Sequence, residues 1–487
     1  YGAGNEYRSS SKKNFKEVFE AEVVREIESL IDGKSVSELD FEAIETSARR
    51  KAMNIAARVI EQKLNSDHCD YVGPRQPCVC GSEANYAGRR RKVFVTAVGE
   101  MTLSRAYYHC DLCESGFCER DRVLGMGGSF LSPAVTRMNG IAAAMVSFKE
   151  TSELLRELAG IDVETKQAER AAERLGCEIS EDEREVTETT MPPALTMYLG
   201  MDGTGIPMRA EELEGRVGKG PNGAAKTREV KLVTVWSAES LDEEGKPFRD
   251  EGSVTYSAAI ESAAQKDTDE EPSEFAKRVN REAKRRGFER VGRPVVMGDG
   301  ALWIWNMASE FFPGAIQIVD LYHAKEHLSD VGKSIYGIGN ELGAHWAKQR
   351  HDELDEGKFN TLLDTLRSHA TKNEEARKCL DYFTRNKERM DYPSFRAQGL
   401  CVGSGVVEAG CKVAIGTRLK RAGMHWTVRG ANAITALRCC KLSGRFEEFW
   451  ERRSQQTPSR ESVGSLQSLT KLVDVASESI SIQCQVV

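Results

Sequence analysis

The sequence predicts a multidomain α/β protein with a helical and cysteine-rich N-terminal region. Three observations support this class. From residue 195 to residue 323, short apolar runs of strand type alternate with segments of helical periodicity. A long stretch of helical periodicity follows, up to about residue 398. Six of the 13 cysteines lie between Cys69 and Cys118, which favours a metal site in a chain without a secretory signal.

The bulk composition is that of a soluble globular protein, with 40% hydrophobic and 29% charged residues, and a cytoplasmic location is expected. No apolar run approaches the roughly 20 residues of a membrane-spanning helix, so no membrane association is expected. The net charge of −7 is not the basic footprint that usually marks a nucleic-acid-binding protein. Basic clusters occur at residues 89–92, 284–286 and 418–421, and each alone is compatible with a solvated surface.

Two cysteine pairs flank a predicted β-hairpin. Strand-like runs cover residues 92–97 and 101–108, with a turn at Gly99-Glu100. The pairs are Cys78-Val79-Cys80 and Cys110-Asp111-Leu112-Cys113, and two such pairs can form a tetrahedral four-cysteine zinc site of the ribbon type. Rival ligands are His68, Cys69, His109 and Cys118, and reduced buried thiols are the alternative without metal.

Helical periodicity is predicted for residues 15–63 and again for residues 131–178. The second region begins at Ser132-Pro133, a favourable helix start, and is interrupted by a turn at Gly160. Two helices joined by a short glycine-containing turn are compatible with a helix-turn-helix module. Its second helix, residues 164–175, would offer to DNA the side chains of Lys166, Gln167, Arg170 and Arg174. Core packing in a helical bundle is the alternative.

In the α/β region, strands are predicted at residues 196–201, 230–236, 253–257, 294–297 and 316–319, and helices at 274–286 and 302–311. Asp202 and Asp299 each end an apolar strand and precede a glycine, which is where open α/β sheets bind ligands. Glu408 lies in the first turn of a helix that follows Gly403-Ser404-Gly405. One such aspartate alone would be a turn former, whereas the three acids together indicate a carboxylate cage.

Three carboxylates from separate segments suit metal-dependent phosphoryl transfer. Two divalent cations about 3.5–4 Å apart activate the attacking oxygen and stabilise the leaving oxygen. Carboxylates are the ligands that Mg²⁺, and Mn²⁺ as its alternative, prefer. A further motif, Asp320-Leu321-Tyr322-His323, ends a third predicted strand. The alternative interpretation of this motif is a helix cap followed by a surface histidine.

In combination and order, these motifs resemble those of bacterial insertion-sequence transposases of the DDE type, in the Mutator-like group. The resemblance covers about residues 70–452, and the matching segments are LGMDGT at 199–204, MGDGA at 297–301, DLYH at 320–323, GSGVVE at 403–408 and MHWT at 424–427. The cysteine pattern is also similar to that of these transposases. One departure is His425, where a basic residue is usual before the tryptophan.

The resemblance implies an RNase H-like mixed sheet flanked by helices, with an all-helical insertion that forms a separate lobe before Glu408. Asp202, Asp299 and Glu408 would then be the metal-binding triad. Asp320 and His323 would lie near the scissile phosphate, and Trp426 would lie on a helix near the active site. DNA contacts are assigned to the second helix of the helix-turn-helix and to Arg418, Lys420, Arg421 and Trp426.

The implied function is that of a DNA transposase that binds the terminal repeats of an insertion sequence and cleaves and transfers strands. Its partners would be double-stranded element and target DNA in the nucleoid, bound as a homo-oligomer. Two alternatives stay open. A structure-specific RNase H-like nuclease would need neither the N-terminal modules nor the insertion. An inactive transposase-derived DNA-binding protein would be favoured by loss of a carboxylate, and all three are present.

The corresponding domain organisation has seven parts. They are a helical region (1–65), a zinc-ribbon-like domain (66–128), a helix-turn-helix-like region (129–190), the first part of the catalytic core (191–323), the helical insertion (324–400), the C-terminal core helices (401–453) and a disordered tail (454–487).

Overall fold

The computed structural model describes residues 21, 24–25, 40–185, 194–218, 225–263 and 271–456. Most of residues 15–39, the first part of the predicted helical region 15–63, lie outside these residues, as does the predicted tail beyond residue 456. The chain divides into two compact units. The first comprises Tyr1–Val135, Ala159–Ile161 and Trp450–Val487, and the second comprises Thr136–Leu158 and Asp162–Phe449.

The first unit combines a long helix with an antiparallel sheet. Its elements are α1 (Phe41–Ser66), β1 (Arg75–Pro77), β2 (Glu83–Thr96), β3 (Gly99–Cys110), β4 (Ser115–Phe117) and α2 (Glu119–Val123), and the strands pair in chain order. Asn65 of α1 ties the helix to β3, since its side chain donates to the Thr102 carbonyl at 2.8 Å and accepts from the Ser104 amide at 2.8 Å. The predicted hairpin is confirmed, but its turn is Ala97-Val98 rather than Gly99-Glu100.

Helices follow the hairpin in the predicted order. They are α3 (Pro133–Met145), α4 (Phe148–Leu154), a π-helical turn (Leu155–Ala159) and α5 (Thr165–Glu185). Ser147 and Glu150 form a reciprocal capping box at the start of α4, which satisfies amide groups that a helix otherwise leaves unpaired. The turn falls at Gly160, whose φ of +70° is a left-handed conformation that glycine adopts without strain. The helix α5 extends ten residues beyond the predicted end at residue 175.

A five-stranded mixed sheet forms the centre of the second unit. Its strands are β5 (Thr196–Pro207), β6 (Thr227–Ser237), β9 (Thr255–Ala259), β10 (Arg293–Gly298) and β11 (Ile316–Val319). The spatial order is β11-β10-β5-β6-β9, with β5, β6 and β9 antiparallel and with β10 parallel to both β5 and β11. A small ribbon of β7 (Ser240–Leu241) and β8 (Pro247–Phe248) lies in the connection from β6 to β9. The predicted mixed α/β class, a sheet flanked by helices, is confirmed.

Helices connect and cover this sheet. The helix α6 (Glu274–Arg285) packs on β6 and β9, and α7 (Leu302–Phe311) connects β10 to β11. The C-terminal helices are α13 (Gly405–Gly410), a π-helical segment (Cys411–Gly416), α14 (Thr417–Leu419), α15 (Val428–Leu442) and α16 (Phe446–Gln456). Of these, α13 packs on β5 and β6, and α15 packs on β9 and α5. In the part of the chain that the structure describes, no helix combines the length and the apolar character needed to cross a membrane.

The predicted helical insertion is present, but it is not a separate lobe. It consists of α8 (Leu321–Tyr336), α9 (Glu341–Asp355), α10 (Phe359–Ala370), α11 (Glu374–Asn386) and α12 (Tyr392–Ala397). Its buried side chains, among them Leu362 and Phe383, belong to the same hydrophobic cluster as Val296 of β10. The Tyr392 hydroxyl also donates to the Val319 carbonyl of β11 at 3.2 Å. The expectation of a separate lobe was therefore wrong, because the insertion shares its core with the sheet.

Candidate active site

Asp202 and Asp299 lie at the same level of two neighbouring parallel strands. Gly200 of β5 pairs with Met297 of β10, and each aspartate lies two residues further along its chain. Adjacent strands are about 4.8 Å apart, so the two carboxylates arise from neighbouring positions. Asp299 follows the end of β10, as predicted. The prediction that Asp202 ends its strand was wrong, because β5 continues to Pro207 in pairing with β6.

The Asp202 carboxylate is mostly enclosed and has two neutral donors. Its Oδ1 accepts from the Gly203 amide at 2.6 Å, and its Oδ2 accepts from the Cys411 thiol at 3.2 Å. Burial raises the pKa of Asp202, the two hydrogen bonds partly offset this effect, and the negative charge of Asp299 raises the pKa further. Asp202 and Asp299 are therefore close enough for their charges to interact unfavourably, which a bound cation would relieve.

The helix that carries Glu408 packs directly on β5. A Cβ atom on Gly200 would lie 2.2 Å from Val407 Cγ2, so only glycine permits this approach. Cys411, one helical turn after Glu408, bonds to Asp202. The side chain of Glu408 itself is exposed and forms an ion pair with Lys412 at 2.7 Å. The structure thus brings the Glu408 segment to the aspartate pair with its carboxylate at the surface.

Asp320 links the insertion to the Glu408 helix. Its buried carboxylate accepts from the His323 amide at 2.6 Å, which caps α8, and also accepts from the Ser404 amide. A backbone hydrogen bond of 2.9 Å from Leu321 to the Val402 carbonyl reinforces the same junction. The helix-cap interpretation of Asp320 is confirmed, and this carboxylate additionally holds the turn from which α13 starts.

A cluster of aromatic side chains adjoins the Asp299 turn. The Tyr382 hydroxyl, from α11 of the insertion, donates to the Asp299 carbonyl at 2.9 Å. The Tyr382 ring lies against Gly300, where a Cβ would come within 2.5 Å of it, and its centroid is 4.2 Å from that of His327. His323 lies 4.9 Å from His327 and has Glu326 at 3.6 Å. Burial and the neighbouring His323 lower the pKa of His327.

Three of these residues were not among the sequence-predicted candidates. Cys411 and His327 each lie one helical turn beyond a predicted site residue, at i+3 from Glu408 and i+4 from His323, so helical spacing was a usable signal for both. Tyr382 had no such signal, because its position against Asp299 depends on how the insertion packs.

The residues of the 418–421 cluster have different environments. Lys420 is exposed and donates to the Thr204 hydroxyl, two positions after Asp202 on β5. Arg421 is exposed and pairs with Glu150 at 2.7 Å, and this arginine lowers the pKa of Glu150 to about 2. Arg418 is 0% exposed and donates to the Ala143 carbonyl at 2.8 Å. Burial lowers the pKa of Arg418 to about 10.

Trp426 is also buried, and its position differs from the prediction. The expected helix begins two residues later, at Val428, and Trp426 instead pairs with the end of β5 through a 3.1 Å bond from its amide to the Pro207 carbonyl. The indole donates to the Leu419 carbonyl at 2.9 Å, and the Arg418 guanidinium lies 5.4 Å from the ring. In this structure neither Arg418 nor Trp426 reaches the surface, so both contribute packing where DNA contact was expected.

The predicted recognition helix, α5, has two distinct faces. One face is buried on α15, and a Cβ on Gly176 would lie 2.0 Å from the Ala433 carbonyl oxygen. The other face exposes three basic residues at a spacing of four, which are Lys166, Arg170 and Arg174. Lys166 pairs with Glu169 at 2.7 Å, and the Gln167 side chain accepts from the Glu164 amide at 3.1 Å. Core packing and an exposed basic stripe therefore coexist in one helix.

The four predicted cysteines of the first unit converge. The sulfurs of Cys78, Cys80, Cys110 and Cys113 all lie within 4.8 Å of one another, and the Cys78–Cys113 and Cys80–Cys110 separations are 3.5 and 3.6 Å. Tetrahedral Zn²⁺ with bonds of about 2.3 Å separates its sulfurs by about 3.8 Å, so this group fits the ion. The Ser115 hydroxyl, 3.0 Å from Cys113, lowers the pKa of that thiol to about 6. The rival Cys69 instead bonds to Asp67.

No protein-family model and no curated protein sequence matches this chain. Among solved structures, the chain has a distant similarity to the Drosophila P element transposase strand transfer complex. The sequences are 11% identical, the TM-score is 0.23, and the alignment covers 65% of this chain and 81% of the other. A likeness at this level carries no argument about function, which has to come from the site itself.

Proposed function

We propose that this chain is a DNA transposase whose catalytic carboxylates are Asp202, Asp299 and Glu408. The observation that carries the proposal is the placement of Asp202 and Asp299 at one level of neighbouring parallel strands, with the Glu408 helix packed against the same strand. Their sequence contexts resemble those of the DDE motifs. Burial and the charge of Asp299 raise the pKa of the Asp202 carboxyl, and a carboxylate in such a place is costly in a folded protein, which favours a functional interpretation over a structural one.

The three side chains offer the hard oxygen donors that Mg²⁺ or Mn²⁺ requires. When bound, the divalent cations supply Lewis-acid stabilisation of the charge that develops in phosphoryl transfer. Asp202 and Asp299 are held in place by the Gly203 and Ala301 amides, at 2.6 and 2.9 Å, and by the Cys411 thiol. Glu408 would exchange its ion pair with Lys412 for a place in the cage.

Other residues would contact the substrate backbone around this centre. Lys420, bonded to Thr204 beside Asp202, has the charge and position to bind a phosphate oxygen. His323 is next to His327, whose ring contacts Tyr382, and the Tyr382 hydroxyl bonds the Asp299 carbonyl. Through this cluster His323 is near the Asp299 turn, and it would donate a hydrogen bond to the same phosphate. The basic stripe of α5, Lys166, Arg170 and Arg174, would bind double-stranded DNA through its phosphates. We assign the same role to Gln167 of α5 and to the exposed Arg421. We further propose that the protein acts as a homo-oligomer on terminal repeats and target DNA.

The direct test is metal-dependent cleavage of the DNA that flanks the gene, where terminal repeats would lie. We expect the purified chain to cut this DNA with Mg²⁺ and not with EDTA. Asp202→Asn, Asp299→Asn and Glu408→Gln should each abolish cleavage and retain DNA binding, because binding energy comes mainly from phosphate contacts elsewhere. Asp364→Asn and Glu375→Gln are matched controls, since both carboxylates form only exposed ion pairs on the insertion.

The outcomes separate the competing functions. Near-normal cleavage by Glu408→Gln would remove Glu408 from the triad. DNA binding by the wild type without any metal-dependent cleavage would favour an inactive DNA-binding descendant. Cleavage confined to branched or looped substrates, with none at the repeats, would favour a structure-specific nuclease.

A further inference from the structure

The start of helix α8 carries a sequence pattern of which the proposed chemistry uses only one residue. Residues 323–327 read HAKEH, so His323 and His327 are one helical turn apart with Glu326 between them. Side chains at positions i and i+4 lie on the same face of a helix. Two histidines at this spacing bind zinc in the motifs H-E-x-x-H and H-x-x-E-H, the second of which matches residues 323–327. The pattern therefore indicates a metal site apart from the carboxylates and the cysteines.

The two imidazole rings have the separation of ligands that share one ion. Their centroids are 4.9 Å apart, and the ring planes are at 85° to each other. For a tetrahedral ion with nitrogen bonds of about 2.0–2.1 Å, two imidazole ring centres lie about 5 Å apart. The observed separation agrees with this value, and the intervening helical turn fixes the distance between the two Cα atoms.

The ring nitrogens of this pair have no other hydrogen-bonding role. Among the described residues, neither His323 nor His327 forms a side-chain hydrogen bond. The contrast is His351 of α9, whose Nε2 lies 2.8 Å from the Lys325 carbonyl oxygen. His327 is partly buried, with its ring centroid 4.2 Å from that of Tyr382, and the His323 side chain is 37% exposed. Enclosed polar groups are normally hydrogen-bonded, and a water or an ion commonly completes the exceptions.

A carboxylate orients one of the two rings. Glu326 Oε2 is 3.6 Å from His323 Nδ1, and no other ion pair involves Glu326 among the residues that the structure describes. A histidine that binds a metal usually turns its second ring nitrogen towards a carboxylate, which fixes the tautomer and strengthens the ligand. With Nδ1 directed at Glu326, Nε2 of His323 is the nitrogen left for the ion.

The surroundings of the pair are acidic. The negative charges of Asp330, Glu326 and Asp299 all act on His327. Lys333 compensates Asp330, at a distance of 2.7 Å. A divalent cation between the two imidazoles would be stabilised by the carboxylates around it, since the attraction between opposite charges at short range is strong in a partly enclosed site.

Imidazole ligands decide which ion the pair prefers. Zn²⁺, Ni²⁺ and Cu²⁺ bind imidazole well, whereas Mg²⁺ and Mn²⁺ prefer oxygen ligands. We propose that His323 and His327 bind one divalent transition-metal ion of the first group, with Glu326 orienting the His323 ring. Water completes the coordination of the ion. Because it involves no DNA, this site does not depend on the proposed function.

Isothermal titration calorimetry with Ni²⁺ tests the site on the untagged full-length chain. Excess Mg²⁺ is present so that it occupies oxygen sites, and any Ni²⁺ bound by the four cysteines is common to all variants. The wild type should bind one Ni²⁺ whose affinity falls at least about tenfold in His323→Gln and in His327→Gln, since even loss of a residue that orients a metal ligand costs about 10- to 100-fold. Glu326→Gln should weaken the same binding by a smaller factor.

Two variants of α9 are controls, because this helix carries a histidine without a second one four positions later. His345 is exposed, and the residue four positions later is Gln349. His345→Gln should bind Ni²⁺ as the wild type does. Gln349→His, which creates the same spacing, should bind one further Ni²⁺ per chain. Circular dichroism confirms that the comparison is between folded proteins.

Equal affinity and stoichiometry for Ni²⁺ in the wild type, His323→Gln and His327→Gln would overturn the inference. So would a further ion in Gln349→His combined with no histidine-dependent ion in the wild type, since the spacing would then suffice on α9 and fail on α8. An equal loss of Ni²⁺ binding in His345→Gln and His327→Gln would also overturn it, because binding would then not depend on the pair.

Discussion

The thiol of Cys411 donates a hydrogen bond to Asp202 Oδ2 at 3.2 Å, across 209 positions of the chain. Burial and the carboxylate of Asp202 raise the pKa of this thiol, so it stays protonated and keeps the hydrogen that it donates to the carboxylate. The other oxygen, Oδ1, accepts from the Gly203 amide, and the two hydrogen bonds together fix the plane of the carboxylate. A residue that touches no substrate thus orients a group proposed to hold the catalytic cation.

Replacing Cys411 should weaken metal use without abolishing catalysis. Loss of a group that orients a metal ligand typically costs 10- to 100-fold in metal affinity or activity. We expect Cys411→Ala to shift the Mg²⁺ dependence of cleavage upward by about tenfold or more, and Cys411→Ser, which keeps a donor, to shift it less. The measurement is a Mg²⁺ titration of cleavage rate. Identical titration curves for Cys411→Ala and the wild type would contradict a positioning role.

Tyr382 should couple the insertion to the same centre. Tyr382→Phe removes the bond to the Asp299 carbonyl but keeps the ring against Gly300 and His327. An unsatisfied carbonyl costs about 1–3 kcal/mol, and we expect cleavage to fall about tenfold with an upward shift in Mg²⁺ dependence. Tyr392→Phe is the matched control, because it removes an equivalent bond from the insertion, made to the Val319 carbonyl of β11 instead of to Asp299. If both variants change the Mg²⁺ titration equally, Tyr382 contributes to stability and has no specific role at Asp299.

The cysteine cluster should contain about one Zn²⁺ per chain. X-ray absorption should show four sulfur neighbours at about 2.3 Å. A Cys80→Ser, Cys113→Ser double variant should lose the ion and the cooperative unfolding of the first unit, whereas Cys69→Ser should retain both, since Cys69 bonds to Asp67 outside the group. Elemental analysis that finds no zinc in protein purified without chelators would rule out the site.

The basic stripe of α5 makes a quantitative prediction about salt. Each phosphate contact contributes about −0.9 to the slope of log affinity against log salt concentration. Arg170→Gln should therefore reduce the magnitude of this slope by about 0.9 and weaken binding to all sequences alike. Arg377→Gln, an exposed arginine on α11 with Glu374 at 3.9 Å, should leave the slope unchanged. If Arg170→Gln has the same slope as the wild type, Arg170 does not contact a DNA phosphate.

Acid should destabilise the second unit through Glu282. Burial alone would raise the pKa of this carboxyl, but Arg445 and Arg285 outweigh it and lower the pKa to about 2. The folded pKa is below the unfolded one, so its contribution is present above pH 4.5 and is lost as the pH falls towards 2. Glu282→Gln should lower the free energy of unfolding by on the order of 3 kcal/mol at pH 7, and the difference should vanish near pH 2. A decrease in the free energy of unfolding that does not depend on pH would indicate lost packing instead of a lost charge interaction.

The sequence was sufficient for the existence and order of most elements and for the strand end before Asp299. Helix α7 and strand β11 have the predicted bounds, because strong apolar periodicity and flanking glycines define both. The extension of β5 past Asp202 was missed. Residues 203–207 include two glycines and a proline, which disfavour strand, and they are strand only because β6 pairs with them. The four cysteines converge as predicted, because the hairpin between the two pairs fixes their separation.

What the sequence could not show was decided by tertiary packing. Arg418 looks like a surface cation in the sequence, yet its guanidinium lies over the rings of Phe148 and Trp426 and donates to the Ala143 carbonyl of α3. The insertion was predicted to form a separate lobe. Its helical periodicity does not indicate which helix faces pack on the sheet. Tyr382 and Tyr392 show that it packs against the ends of β10 and β11.

The helix α13, which carries Glu408, starts at the turn that Asp320 holds through the Ser404 amide, late in the chain. This position has a consequence during synthesis of the protein. During translation, Asp202 and Asp299 leave the ribosome well before the segment that bears Glu408. At about 5–20 residues per second, the roughly 100 intervening residues take on the order of 5–20 s to synthesise. Until then, the proposed triad lacks its third carboxylate, and Asp202 lacks the Cys411 thiol. Under the proposed function, an unfinished or prematurely terminated chain is therefore unable to cut DNA.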